Sequence, residues 1–348
     1  MMNRGAGDTC LVCVDAGTTN TRVWLIAGER VIARARAGVG VRDTARDGSS
    51  ERLRGALRES IDKVRNEARN QGLAQSPECA PECVIAAGMI TSPLGLAEVP
   101  HVPTPAGLKE LAATTRQYSF PEITDLPILL IPGARSGPRR CDQETVGTTD
   151  LMRGEETLLI GLHALGLIAP RSTLLNLGSH WKVIEFDARA RIASSVTSMT
   201  GELIHTAQTQ TILAGSVPQA RPGVIDQTWL EAGMREQRRS GLARALFCVR
   251  LLEQGSDGSA EQRLSFLIGA FLASDVDAMV SRGLFASEGK VVIAGGGVIA
   301  EAFSCALARL SVQAIILDDA DVERGLLAGC RSVFSHVVTN KFVTSRNE

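Results

Sequence analysis

Short apolar runs rich in Val and Ile alternate along the chain with runs at helical spacing. CLVCVD (10–15), TRVWLI (21–26) and residues 30–35 read as three successive strands. Leu53, Leu57, Ile61 and Val64 form one stripe of a helix over 50–70. Strands over 83–87 and 127–131 flank the Pro-rich stretch GMITSPLGLAEVPHVPTPAG (88–107). A segment that long without periodicity is often a functional loop. Residues 153–166 read as a helix, broken at APRS (169–172).

Strands resume over 173–177, 182–186 and 191–196, and helices are expected over 200–213, 228–253 and 260–282. A strand at 290–295 runs into Gly296 and Gly297, then a helix over 298–310. SVQAIIL (311–317) gives a last strand and 319–330 a last helix, while HVVTNKFVTSRNE takes no assigned element. Such alternation predicts an α/β protein. Its 348 residues suggest about two domains, 1–170 and 171–348. The halves also echo one another. VDAGTTNTRV (14–23) and LNLGSHWKV (175–183) are each an apolar strand, a Gly-Ser/Thr turn and a second apolar strand.

Composition narrows the function classes. The chain is 44% hydrophobic and 22% charged with a formal net charge of -1. That balance gives no basic footprint for nucleic acid or for a membrane surface. No apolar run reaches the roughly 18–20 residues that span a bilayer. No signal-peptide pattern opens the chain, so a cytoplasmic protein is expected. Eight cysteines are scattered. Cys10 and Cys13 lie in one strand at an odd offset, which sends them to opposite faces. Cys79 and Cys83 flank a Pro, and neither pair has a second pair close by, as a zinc site would.

The polar cluster after the first strand has no use in a core. Gly17 permits a tight turn, Thr18 and Thr19 add hydroxyls, and consecutive N–H groups there can form an anion nest. A carboxylate beside phosphate is repulsive without a cation between them, so Asp15 is expected to hold Mg²⁺ through water. Arg22 can serve a phosphate or pair with an acid. The chain has neither GxxxxGK[ST] nor a strand–GxGxxG–helix unit at this point. In the second hairpin, Gly178, Ser179 and His180 offer a matching turn, and Lys182 can neutralise charge on a moving phosphoryl group. Gly295, Gly296 and Gly297 open a helix after a strand, where a nucleotide can approach the backbone closely. DLMRGEETLLIG (150–161) places Arg153, Glu155 and Glu156 at a helix head. Acids there complement the helix dipole, or one of them accepts a proton from a substrate hydroxyl. TSMTGEL (197–203) offers Thr200 as a helix N-cap.

VDAGTTNTRVWL, AAGMITSPLG with AEVPHVPTPAG, IPG (131–133), DLMRGEETLLIG, LGSHWKVI and TSMTGEL occur in an order that resembles the 2-dehydro-3-deoxygalactonokinase family of actin-like sugar kinases. AGGG (294–297) and DDADVERGLLAG (318–329) extend the resemblance over nearly the whole chain. It implies two RNase-H-like domains of the actin-like ATPase type with an interdomain cleft. It implies transfer of the ATP γ-phosphate to the 6-hydroxyl of 2-dehydro-3-deoxy-D-galactonate, in galactonate catabolism, with ATP and Mg²⁺ as cofactors. Asp15, Glu155 and Lys182 would be catalytic, Asp15 also the metal ligand. Gly17, Thr18, Thr19, Gly178, Ser179, His180 and Gly295 to Gly297 would hold the nucleotide. Ser92, Glu98, His101 and Arg153 would bind the sugar acid, with Arg153 on its carboxylate. Glu155 is the expected base and Glu156 the alternative. Leu96 and His101 stand where the family usually has Trp and Tyr, so another 2-keto-3-deoxy sugar acid or sugar is a second reading. A non-catalytic ATP sensor is the third. The assembly is open, a homodimer among the options.

Overall fold

A computed structural model describes residues 9–71, 80–285 and 290–344 of the chain. Cys79 lies outside them. The chain forms two units: Met1–Leu167 with Arg191–Ser194 and Glu323–Glu348, and Ile168–Ala190 with Ser195–Val322.

The first unit opens with β1 (Cys10–Ala16), β2 (Thr21–Ala27) and β3 (Arg30–Ala37), then α1 (Val41–Asp47) and α2 (Glu51–Asn70). There follow β4 (Cys83–Gly88), β5 (Val102–Pro103), α3 (Leu108–Thr114), β6 (Arg116–Tyr118) and β7 (Ile128–Leu130). β8 (Ala134–Ser136), β9 (Asp150–Met152) and α4 (Glu155–Ala164) complete it up to Leu167. The main sheet has the order β3-β2-β1-β4-β7-β6, and β5, β8 and β9 make a small second sheet. β1 is antiparallel to β2 and parallel to β4, and β4 is parallel to β7. Cys10, Val12, Val14 and Ala16 share a core with Leu53, Leu57, Ile61 and Val64 of α2. On the other face Cys13 hydrogen-bonds to Cys330 of the last helix. A strand covered on both faces reads as a continuous apolar run, which is why CLVC shows no alternation.

The second unit holds β10 (Thr173–Leu177), β11 (Trp181–Phe186), β12 (Ile192–Ser198) from Ser195 onward, α5 (Thr200–Gln210), α6 (Gln227–Ser240), α7 (Leu242–Gln254), α8 (Ala260–Ser281), β13 (Val291–Gly295), α9 (Val298–Ala308) and β14 (Ala314–Leu317). Its sheet order is β12-β11-β10-β13-β14. β10 is antiparallel to β11 and parallel to β13, and β13 is parallel to β14. This repeats the order β3-β2-β1-β4-β7 of the first unit, where β6 adds a sixth strand. Register repeats as well: Asp15 faces Arg22 and Ala16 faces Gly88, while Asn176 faces Lys182 and Leu177 faces Gly295.

The last helix, α10 (Asp319–Thr344), joins the first unit from Glu323 onward. A β-carbon at Gly161 of α4 would overlap the Gly325 carbonyl, and one at Gly329 would overlap that of Thr157. Only glycines let the two helices cross at backbone contact. The tail left unassigned by the sequence continues this helix as far as Thr344.

Several expectations change. The single helix over 228–253 is two helices, parted at Gly241 with φ 82°. α1 and α3, seven residues each, are too short to show a period. α8 is long and apolar enough to cross a membrane, contrary to the expectation that no such run exists, but two-thirds of its apolar window is buried within the protein. Gly233 and Gly269 bring α6 and α8 together there, since a β-carbon on either would strike the facing backbone.

Candidate active site

In the first unit the turn after β1 is closed by the Gly17 amide, which donates to Asn20 O at 2.9 Å. α1 begins on this turn. The Val41 amide donates to Gly17 O at 3.2 Å and the Arg42 amide to Thr18 O at 2.9 Å. A β-carbon at Gly40 would stand 2.5 Å from Thr18 C and O, so α1 could not start so close with a larger residue. The turn's carbonyls are thus spent on α1. The Thr18 and Thr19 amides make no hydrogen bond among the described residues, and Thr18 is exposed. Both amides are open to an acceptor, as an anion nest requires.

Of the two roles open to Arg22, the structure shows the pairing with an acid. Its Nε and Nη2 donate to Asp15 Oδ2 at 3.1 and 2.6 Å. Asp15 Oδ1 makes no hydrogen bond among the described residues and lies 3.0 Å from where a Gly88 β-carbon would be. Gly88 and Gly154 are stacked: a β-carbon on Gly154 would be 3.3 Å from Gly88 Cα and 3.9 Å from Asp15 Oδ1. The tip of β1, the end of β4 and the head of α4 therefore meet at one point.

At that head Gly154 has φ 110°, a conformation open to glycine and strained for other residues. Both Glu156 carboxylate oxygens accept from the Gly154 amide, at 2.9 and 2.8 Å, and the Thr157 hydroxyl donates to Oε1 at 3.1 Å. Glu156 is 0% exposed. Burial, and secondarily the charge of Glu155, raise its pKa to about 7. Glu155 is half-buried, and its Oε2 accepts from the Arg153 amide at 3.2 Å. Of the two carboxylates, Glu155 has solvent access and Glu156 is committed to the backbone.

Arg153 reaches into the 88–107 stretch. Its Nη1 donates to Thr91 Oγ1 at 2.6 Å and to Val99 O at 3.1 Å, and its Nη2 lies 3.4 Å from His101 Nδ1. Arginine has only donors, so that ring nitrogen is the acceptor. Burial lowers the Arg153 pKa against the opposing charges of Glu156 and Glu98. A β-carbon on Gly133, the glycine of IPG, would lie 2.7 Å from Arg153 Cγ and 2.9 Å from His101 Cδ2. The structure thus makes Arg153 a clamp joining α4 to the loop, a role the sequence did not suggest. Ser92 is 4% exposed and its Oγ has no hydrogen-bond partner among the described residues, while Glu98 is exposed.

The second unit repeats the turn. The Glu202 amide donates to Ser179 O at 2.8 Å. A β-carbon on Gly201 would be 2.5 Å from Gly178 O, 2.7 Å from Ser179 O and 3.0 Å from Trp181 Nε1. So α5 starts on the turn at Gly178–His180 as α1 starts on Gly17–Thr18. Thr200 is the first residue of α5 and Met199 its N-cap, which corrects the expected cap. His180 Nε2 and Glu202 Oε2 are 2.9 Å apart, both exposed. Lys182 is buried in β11, at 4% exposure, and Trp181 packs edge-on against Phe303. Gly295, Gly296 and Gly297 have φ 75°, 86° and 54° in succession before α9. A β-carbon at Gly296 would be 2.8 Å from Leu177 Cβ, so β13 leaves the sheet through a turn that glycine alone fits.

Residues 15–329 match the 2-keto-3-deoxy-galactonokinase family. The chain belongs to that family. The probable 2-dehydro-3-deoxygalactonokinase of Rhizobium meliloti (strain 1021) is 31% identical over 330 residues, covering 92% of this chain and 96% of its own. The 2-dehydro-3-deoxygalactonokinase of Escherichia coli (strain K12) is 28% identical, with 94% and 98% covered. A crystal structure from Sinorhizobium meliloti with the same provisional assignment is 25% identical, with a TM-score of 0.68 and 93% and 99% covered. An activator of 2-hydroxyisocaproyl-CoA dehydratase from Clostridium difficile, solved with ADPNP, shares the fold at a TM-score of 0.51 and 15% identity, with 96% and 97% covered. Membership in the galactonokinase family makes the protein a sugar kinase of the 2-keto-3-deoxy sugar acid type, a phosphotransferase that uses a nucleotide.

Proposed function

We propose that the protein transfers the γ-phosphate of ATP to the 6-hydroxyl of 2-dehydro-3-deoxy-D-galactonate. The observation that carries this reading is the meeting of Asp15, Gly88 and Gly154 beside Glu155, in a chain of this family. The two units are RNase-H-like halves of the actin-like ATPase type, a reading supported by their repeated strand order. Gly17, Thr18 and Thr19 take one part of the phosphate chain. Gly178, Ser179 and His180 take another, and Gly295 to Gly297 lie along the nucleoside.

Mg²⁺ fits Asp15 through Oδ1, since Arg22 engages only Oδ2. An ion there would be held by the Asp15 carboxylate together with water. When bound, it would supply neutralisation of phosphate charge. Glu155 accepts the proton of the 6-hydroxyl as its oxygen bonds to the γ-phosphorus. The bond from that phosphorus to the β-phosphate bridging oxygen breaks, and ADP leaves. Lys182 acts on the charge of the moving group. Ser92, whose buried Oγ lacks a partner among the described residues, reads the sugar acid together with Glu98, His101 and Arg153.

The test is ADP release with Mg-ATP and 2-dehydro-3-deoxygalactonate, run beside the gluconate epimer and plain hexoses. Selective turnover of the galactonate-derived acid is expected. Turnover with the epimer alone overturns the substrate and keeps the kinase. ATP binding without turnover of any acceptor overturns the reaction in favour of a nucleotide sensor.

A further inference from the structure

The second phosphate turn is held by more than α5. Ser198, the last residue of β12, donates from Oγ to Asp275 Oδ2 at 2.6 Å. A hydroxyl has one proton, so Ser198 Oγ is an acceptor towards the Thr200 amide, 3.3 Å away. The Thr200 hydroxyl lies 2.7 Å from Ser198 Oγ and also bonds to the Asp275 carboxylate. Asp275 projects from α8, between the core residues Ala273 and Val276. Burial raises its pKa and the two hydroxyls oppose that shift.

These bonds end at the residue before Gly201, whose backbone lies against the Gly178 and Ser179 carbonyls. The next amide, that of Glu202, donates to Ser179 O. A carboxylate fixed in the core helix thereby sets where α5 begins, and α5 sets the turn. We infer that Asp275 is a positioning residue for nucleotide phosphate, acting through Ser198 and Thr200 on the turn at Gly178–His180. The inference rests on the kinase reading. It adds that the rigidity of this turn comes from α8, outside every motif of the hairpin.

The experiment is a calorimetric titration of Mg-ATP into the full chain, without acceptor, for wild type, Asp275→Ala, Ser198→Ala and Ser198→Thr. Ser265→Ala serves as control, a hydroxyl of α8 that accepts from the Asp226 amide instead. Loss of a charge-assisted hydrogen bond corresponds to a rise in Kd of about 10-fold in Asp275→Ala and Ser198→Ala. Ser198→Thr keeps the hydroxyl and is expected within about twofold of wild type, as is Ser265→Ala. In steady state KM for ATP follows Kd, while KM for the sugar acid is unchanged. A Kd within twofold of wild type in Ser198→Ala overturns the inference, even if Asp275→Ala fails to fold. Equal losses in Ser198→Ala and Ser265→Ala overturn it too, because they would report general loosening of the core. Failure of wild type to bind nucleotide overturns the kinase reading and this inference with it.

Discussion

Burial pushes the Glu156 carboxyl up to about 7, and Glu156→Gln exposes the cost of ionising it. Its pKa is raised from 4.5 to about 7, first by burial and then by Glu155. Because the folded pKa is the higher one, the folded state keeps a proton that the unfolded chain has already lost. Stability therefore falls as pH rises from about 4.5 to about 7, and the loss is complete above that window. The gap between 4.5 and about 7, at about 1.4 kcal/mol per pH unit, amounts to about 3 kcal/mol. Glutamine does not ionise and keeps one oxygen for the Gly154 amide. Glu156→Gln is expected to be more stable than wild type by about 2–3 kcal/mol at pH 8 and by less than about 1 kcal/mol at pH 5. Urea unfolding of both proteins at the two pH values measures this. Equal differences at pH 5 and pH 8 would refute the reasoning, and so would a variant that is less stable at pH 8.

Glu155→Gln is expected to lose turnover by about 10²–10⁴-fold with ATP affinity kept, and near-normal turnover in the coupled assay would remove Glu155 as the base. Gly154→Ala places a side chain at φ 110° beside Gly88. It should cost about 1–3 kcal/mol in denaturant unfolding and lower turnover, because Glu155 moves with the turn. Gly161→Ala drives a β-carbon into the Gly325 carbonyl. It should destabilise the first unit by about 3 kcal/mol or more, and an unchanged unfolding midpoint would mean that α4 and α10 do not cross as described. Asp15→Asn should weaken Mg-ATP binding while leaving Mg-free ATP binding within about twofold, a contrast that titration with and without Mg²⁺ resolves.

The sequence determined the parts whose signals are local. Buried strands such as CLVC and KVVIAG show as apolar runs. The long helix α2 shows its stripe, and α8 shows a continuous apolar run. Both Gly turns show because a polar cluster at a strand end has no place in a core. The repeat of one hairpin by the other was legible for the same reason, and so was the helix head carrying Glu155 and Glu156.

Tertiary structure decided what depends on residues far apart in the chain. Glycines that touch another element look alike in sequence, so Gly88, Gly133 and Gly201 could not be told from ordinary turn glycines. Their need for hydrogen in place of a side chain appears only when Ala16, His101 and Ser179 are brought against them. Arg153 read as a ligand for a carboxylate, yet its guanidinium partners, Thr91 and Val99, lie more than fifty residues away. The same limit hid the return of α10 to the first unit, which rests on glycine contacts between 161 and 325. It also hid Asp275, one of two nearby acids, with Asp277, in a helix that is otherwise mostly apolar, whose hydroxyl partner is Ser198. Glu155 and Glu156 are adjacent and chemically identical, and only the family resemblance favoured Glu155 over Glu156 in the sequence. Packing separates them: the fold closes over one and leaves the other in contact with water.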